Sequence, residues 1–135
     1  MIFVDANVFM YFIGGDHTLR RTEARAFFYQ SQQRDRRLVT SAEVLQELLH
    51  TYVRRGDRAS IEVAFELVET TVAEVWPVER EDVERARYLS TPHPELQARD
   101  LVHLACCIRR QPDDLMTFDR ALAAAWRSRS SRGNP

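Results

Sequence analysis

Apolar positions along the chain fall into short continuous runs separated by longer stretches of helical spacing. Met1 to Val4 is an uninterrupted apolar run of the length of a buried strand. "ANVFMYFIG" follows it as a short helix that Gly14-Gly15 stops. Thr18 to Arg34 places Leu19, Ala24, Ala26, Phe27 and Phe28 in an amphipathic pattern, and Arg36 to Thr40 ("RRLVT") is a second strand. "SAEVLQELLHTYVRR" then carries a stripe of Val44, Leu45, Leu48, Leu49, Tyr52 and Val53, and Gly56 closes that helix from its C-terminal side.

The second half repeats the rhythm. A helix is predicted from about Arg58 to Thr70, and Val72 to Val78 reads as a third strand, with Pro77 suited to a strand end or a sheet edge. "REDVERARYLS" is helical until Pro92 and Pro94. "LQARDLVHLACCIRR" sets Leu101, Leu104, Ala105 and Ile108 on one side of another helix. "DDLMTF" is a fourth strand and "DRALAAAWRS" a last helix. Strands alternating with helices, and no hairpin signal, predict a parallel sheet with helices on both faces. Residues 1–127 form the expected domain. Residues 128–135, polar, rich in arginine and serine and without periodicity, read as a flexible tail.

Acids stand at the strand-to-helix junctions. Asp5 follows the first strand and Asp119 the fourth, both on the edge where open parallel sheets bind ligands. Glu47 lies about two turns into its helix, and Asp100 in the first turn or so of another. Each has an ordinary alternative. Asp5 and Asp119 can cap the helices they precede, and Asp100 can offset a helix dipole. Thr40-Ser41-Ala42-Glu43 fits a capping box with Thr40 as cap, which gives Glu43 an ordinary job. Glu47 falls about 60° outside its helix's apolar stripe, so a solvated position accounts for it equally well.

Charge and composition narrow the chemistry. Net charge is −1 over 135 residues, so any nucleic-acid contact must come from local patches. All nineteen basic residues are arginine. Without lysine, a receiver domain is a poor reading, and so is a dehalogenase-like phosphatase, which also needs D-x-D where this chain has Asp5-Ala6-Asn7. The arginines cluster at 20/21, 34/36/37, 54/55, 109/110 and 127/129/132, ordinarily as solvated helix faces. Cys106 and Cys107 are adjacent in an apolar stretch, without zinc-site spacing, and read as buried thiols. No signal-like start and no membrane-length apolar window occur, so a cytoplasmic location is expected.

"FVDANVFMYFI", "TSAEVLQELLH", "ARDLVHLAC" and "LMTFDRAL" together resemble the four acidic signatures of PIN-domain nucleases, and among these the VapC toxins of type II toxin–antitoxin pairs. The resemblance runs in order from Met1 to about Ala123. It implies a three-layer α/β/α sandwich around a parallel sheet of four or five strands. The chain departs from many relatives by running from the last acid into an arginine-rich tail, which puts a fifth strand in doubt. Carried over by position, the family's acids are Asp5, Glu47, Asp100 and Asp119, and its supporting polar residues Asn7 and Thr117.

The implied activity is RNA hydrolysis with Mg²⁺, or Mn²⁺, leaving a 5′-phosphate and a 3′-hydroxyl. Hard oxygen ligands are consistent with those ions. Asp5 and Asp100 are the expected direct ligands, with Glu47 and Asp119 acting through water or a second metal. The implied partners are RNA, a cognate VapB-like antitoxin and a second copy of the chain as homodimer. Phe27-Phe28-Tyr29 is one candidate contact surface, core packing being its ordinary explanation. His50 and His103 are expected in surface or packing roles. The alternative function is an inactive scaffold of the same fold that only binds RNA or protein.

Overall fold

The computed structural model describes residues 1–131. Four strands, β1 (Ile2–Val4), β2 (Leu38–Ser41), β3 (Glu74–Trp76) and β4 (Asp114–Met116), form a wholly parallel sheet in the order β3-β2-β1-β4. Among the described residues there is no fifth strand. Seven helices connect and flank them: α1 (Ala6–Ile13), α2 (Thr18–Gln33), α3 (Ala42–Arg54), α4 (Arg58–Thr71), α5 (Arg80–Leu89), α6 (Ala98–Arg110) and α7 (Arg120–Ser131).

The strand order follows from where each crossover goes. The chain steps outward from β1 to β2 to β3, then returns across the sheet to add β4 on the other side of β1. Right-handed crossovers therefore put α1 to α4 on one face and α5 and α6 on the other, giving three layers. The helix contacts agree: α1 packs on α2, α3 and α4, while α6 packs on α5 and α7. β1 and β4 are the neighbours between which the winding reverses, and in open sheets that crevice is the binding position.

The core explains the apolar runs. Phe3, Val4, Val39, Val44, Leu48, Leu104 and Trp76 are essentially inaccessible, and Phe3 stacks on Trp76 at 5.6 Å between ring centroids. Phe28 is buried against Phe9 and Phe12, while Tyr29 points outward. Cys106 and Cys107 are buried free thiols, and burial pushes the Cys106 thiol up to about 12.

Two details differ from the sequence reading. Ser41, not Thr40, caps α3, its Oγ accepting the Val44 N–H. Thr40 instead donates its hydroxyl to the Val4 carbonyl at 2.8 Å, cross-linking β2 to β1. β2 runs one residue further than expected because Ser41 still pairs with Trp76. At the C-terminus, α7 continues through residues 128–131, which the sequence assigned to a tail. Arg129 lies 4.4 Å over the Trp126 ring and Ser128 donates back to the Ala125 carbonyl, local contacts that carry the helix on without an apolar stripe. The rest of that tail, 132–135, lies outside the described residues.

Asp82 fastens the second helical layer. It is 1% exposed, accepts two hydrogen bonds of 2.7 Å from the Arg109 guanidinium, and accepts the Glu79 N–H at the start of α5. One carboxylate thus caps α5 and ties it to α6. Burial alone would raise its pKa, but the Arg109 fork and the Glu79 N–H hold it below the ordinary carboxylate value. Asp82→Ala should lower unfolding free energy by about 3 kcal/mol, since it strands a guanidinium and removes a cap. Urea denaturation checks this, and a loss below about 1 kcal/mol would show the pair to be incidental.

Candidate active site

The β1–β4 pairing assembles one side of the site. Val4 is in register with Met116, and the Asp5 N–H continues that ladder to the Met116 carbonyl at 3.0 Å. The residues immediately after the two strands, Asp5 and Thr117, are therefore brought side by side. Thr117 donates its hydroxyl to Asp5 Oδ2 at 2.7 Å, while Oδ1 of Asp5 accepts the Ala6 N–H at 2.7 Å and caps α1. The same Thr117 oxygen accepts from Asn7 Nδ2 and from the Asp119 N–H, and Asn7 Oδ1 accepts the Phe118 N–H. Asn7 and Thr117 thus form a bracket that fixes the Asp5 carboxylate relative to the turn after β4.

Asp119 ends that turn. Its Oδ1 accepts the Ala121 and Leu122 N–H groups at 2.9 and 3.1 Å, so it does cap α7, as its ordinary reading predicted. The cap does not remove it from the site: its charge is one of those that raise the pKa of Asp100.

The opposite wall comes from α3 and α6. Glu47 on α3 is only 13% exposed at its side chain because α6 lies against that edge of the helix. Asp100 sits in the first turn of α6, and its carboxyl is raised to about 6, by burial first and then by the charges of Asp5 and Asp119. Asp5, 3% exposed, is also raised; burial is the largest cause, and Glu47 adds to it. The four acids expected from the sequence therefore share one electrostatic neighbourhood.

His103 has the packed position the sequence reading allowed, but also contacts to the acids that it did not foresee. A position three residues after Asp100 was expected to face packing or solvent. The ring is completely buried and set against Phe3, and Nε2 lies 3.0 Å from Glu47 Oε1 and 3.5 Å from Asp5 Oδ1. Burial alone would lower its pKa, but the hydrogen bond to Glu47 and the charges of Asp5, Glu47 and Asp100 outweigh it and raise it. With no partner at Nδ1, the arrangement suits the tautomer in which Nε2 carries the proton and donates to these carboxylates. Its i,i+3 spacing from Asp100 was the available signal, because residues three apart share a helix face. His50, by contrast, is at the surface as expected.

Ligand atoms of Asp5, Glu47 and His103 lie within 4.8 Å of one another, the one such group among the described residues. Two hard carboxylates in a crevice, with two more anions in electrostatic range and no guanidinium closer than Arg99 at 3.8 Å from Glu47, suit a divalent cation with oxygen preference. Imidazole Nε2 fits that ion less well as a ligand. Ligation would move its proton to Nδ1, which is buried with no acceptor, whereas metal-bound histidines almost always donate the other N–H.

The comparisons with known proteins agree with this architecture. The PIN domain model matches residues 2–126. Ribonuclease VapC23 of Mycobacterium tuberculosis is 53% identical over 128 residues, covering 95% of this chain and all of the relative. Ribonuclease VapC13 of the same organism is 41% identical over 120 residues, 89% of this chain and 91% of its own. The crystal structure of M. tuberculosis VapC20, titled a sarcin-ricin loop cleaving toxin, superposes with a TM-score of 0.78 over 93% of this chain and 95% of that one, at 23% identity. A toxin-antitoxin complex from Klebsiella pneumoniae shares the fold at a TM-score of 0.62 and 16% identity, over 88% and 87% of the two chains. With its acids gathered at the switch point of a four-stranded parallel sheet, the chain belongs to the PIN-domain family and, within it, to the VapC ribonucleases.

Proposed function

We propose that this protein is a Mg²⁺-dependent endoribonuclease toxin, with Mn²⁺ able to replace Mg²⁺, held in check by a VapB-like antitoxin. The observation that carries the proposal is that Asp5, Glu47, Asp100 and Asp119 share one electrostatic neighbourhood in which, among the described residues, Arg99 at the rim is the one guanidinium in ion-pair range. In this reading Asp5 and Asp100 hold the metal directly, and Glu47 and Asp119 act through water or a second ion. When bound, the ion lowers the pKa of a water and offsets charge on the scissile phosphate.

The chain's own residues perform the rest. Glu47, at the mouth of the crevice, orients the attacking water and accepts its proton as the new P–O bond forms. The bond to the 3′ oxygen breaks, and that oxygen takes a proton from solvent water, leaving a 3′-hydroxyl and a 5′-phosphate. The Asn7–Thr117 bracket keeps Asp5 from rotating, and His103 Nε2–H keeps the Glu47 and Asp5 carboxylates at a fixed separation. Protein partners follow from the family: an antitoxin, and a second copy of the chain as homodimer, with exposed Tyr29 beside buried Phe28 one available contact surface. The working location is the cytoplasm, where RNA is found; no helix among the described residues is long and apolar enough to cross a membrane.

Incubation of the purified chain with structured and unstructured RNA should give cleavage that needs the divalent ion. Asp5→Asn should reduce the rate at least about 100-fold, beyond the loss typical of residues that merely support a ligand. Cleavage unaffected by chelation or by that substitution would remove the proposal. RNA retained without any cleavage would leave the scaffold function in its place.

His103→Leu should weaken Mn²⁺ binding by about 10–100-fold while His103→Gln, which keeps a donor at a similar reach, restores much of it. Titration of Mn²⁺ by electron paramagnetic resonance measures this directly. Equal loss in both variants would mean that the ring's shape, not its N–H, is what counts.

A dependence on pH follows from the raised carboxyls. Between the ordinary value of 3.8 and about 6, folded Asp100 keeps a proton that the unfolded chain has released. Stability therefore falls as pH rises through that window, and the penalty persists above it. Raised Asp5 acts in the same sense. In chelator, the protein should melt a few degrees higher at pH 5.5 than at pH 8, a modest span because Asp100 is only half-buried. Asp100→Asn should reduce the difference, leaving the part that the raised pKa of His103 contributes in the same direction, and Mg²⁺ should recover stability at pH 8 by binding the folded state. Melting temperatures that climb from pH 5.5 to pH 8 without metal would contradict the assignment.

A further inference from the structure

Most of the arginine clusters are spent within the fold. Arg109 binds Asp82, Arg37 pairs with Glu74, Arg110 and Arg129 lie over the rings of Trp76 and Trp126, and Arg20 lies between Tyr11 and Phe118. The pair on α3 is different. Arg54 has no carboxylate within ion-pair distance among the described residues, and Arg55 lies over the Tyr52 ring, 5.9 Å from its centroid, within electrostatic range of Asp57. With His50, Thr51 and Arg99 they line an open cleft of about 360 Å³.

The position of this cleft is set by helix periodicity. Thr51, Arg54 and Arg55 follow Glu47 by four, seven and eight residues, so they continue the same face of α3 outward from the acid crevice. Arg54 is about 10 Å further along the axis than Glu47, at 1.5 Å per residue. Arg99 on α6 forms the facing wall and joins the two regions, because its Nε lies 3.8 Å from Glu47 Oε1. Arg55 also lines a second cavity of about 310 Å³, which reaches Asn7 and contains Tyr11, Tyr52 and Ser60. The basic cleft therefore meets the acid crevice at Arg99 and shares Arg55 with the second hollow.

We infer that the cleft lined by Arg54, Arg55, Arg99 and His50 binds backbone phosphates of the substrate RNA next to the cleaved bond. The inference rests on the ribonuclease reading. Guanidinium groups present paired N–H donors matched to phosphate oxygens, and Arg54, with no ion pair among the described residues, loses no internal partner when it binds one. The cleft also answers an electrostatic problem: an acid-lined crevice repels a polyanion, and a chain of net charge −1 supplies no general attraction. Cations placed two turns from the acids draw the strand in while leaving the metal position uncovered.

Fluorescence anisotropy with a short labelled single-stranded RNA, in Mg²⁺ and on an Asp100→Asn background that silences cleavage, tests the cleft. Arg54→Gln/Arg55→Gln should weaken binding roughly tenfold near 0.1 M salt and reduce the slope of log K against log salt by about 1.4, two single-strand phosphate contacts. Arg54→Lys/Arg55→Lys should retain most of the slope. Arg85→Gln/Arg87→Gln, the same charge change on α5, should leave both quantities alone. Circular dichroism melts establish that the variants fold. RNA bound by the parent with an unchanged slope in the cleft variant overturns the cleft alone, and is also the result expected if these arginines serve a protein partner. An equal loss in the α5 control overturns it too, by showing a net-charge effect. A parent that neither binds nor, with Asp100 restored, cleaves RNA overturns the ribonuclease reading and the cleft with it.

Discussion

The in-register pairing of β1 with β4 is the constraint from which the site follows. These strands are far apart in sequence, and the winding of the sheet makes them neighbours only because the chain returns past β1 after β3. Once Val4 faces Met116, the next residue on each strand has nowhere to go but the shared C-terminal edge. The Thr117 hydroxyl then bonds Asp5, and the turn that follows delivers Asp119 to the start of α7. A slip of one residue in that register would reverse the alternation of faces and send Asp5 to the wrong side. The buried Thr40 hydroxyl, bonded to the Val4 carbonyl, holds the same end of β1 from β2.

On this edge the helices contribute anions, and their balance is incomplete within the protein. Burial disfavours the charged form of Asp5 and Asp100, and each carboxylate raises the others. His103 relieves part of this by donating toward Glu47 and Asp5 from a fully buried ring, and Arg99 stands at the rim. What is left is a local excess of negative charge that a small cation fits. The same excess makes a remote cationic surface useful to any polyanionic substrate, which links the acid crevice to the arginine face of α3.

The fold was legible because its signals are local and repeated: short apolar runs, helical stripes, and glycine or proline at their ends. The acids Asp5 and Asp119 were legible as junction residues. Glu47 was not, because a helical wheel treats α3 as though nothing but the sheet covered it, and α6 covers its other edge. The burial of His103 depends on that same α3–α6 contact, made between segments that sequence periodicity cannot bring together. Thr40 and Ser41 show a finer limit. Both are good caps, and only the pairing of Ser41 with Trp76 decides that the strand continues to Ser41. The bracket of Asn7 and Thr117 needed the β1–β4 register before it could be drawn.

Asp5 and Asp82 show how a buried carboxylate neutralised within the fold differs from one that is not. Both are nearly inaccessible, at 3% and 1% exposure, and both cap a helix. Asp82 meets a guanidinium in a two-point contact and its pKa falls; its charge is satisfied within the protein. Asp5 meets a hydroxyl, a backbone N–H and an imidazole shared with Glu47, and its pKa rises. The chain has nineteen arginines, so the want of one beside Asp5 is not a shortage of cations. A guanidinium there would stabilise the fold and remove the excess negative charge of the crevice. The arginine nearest the crevice, Arg99, stays at its rim, and the acids inside keep an excess of negative charge.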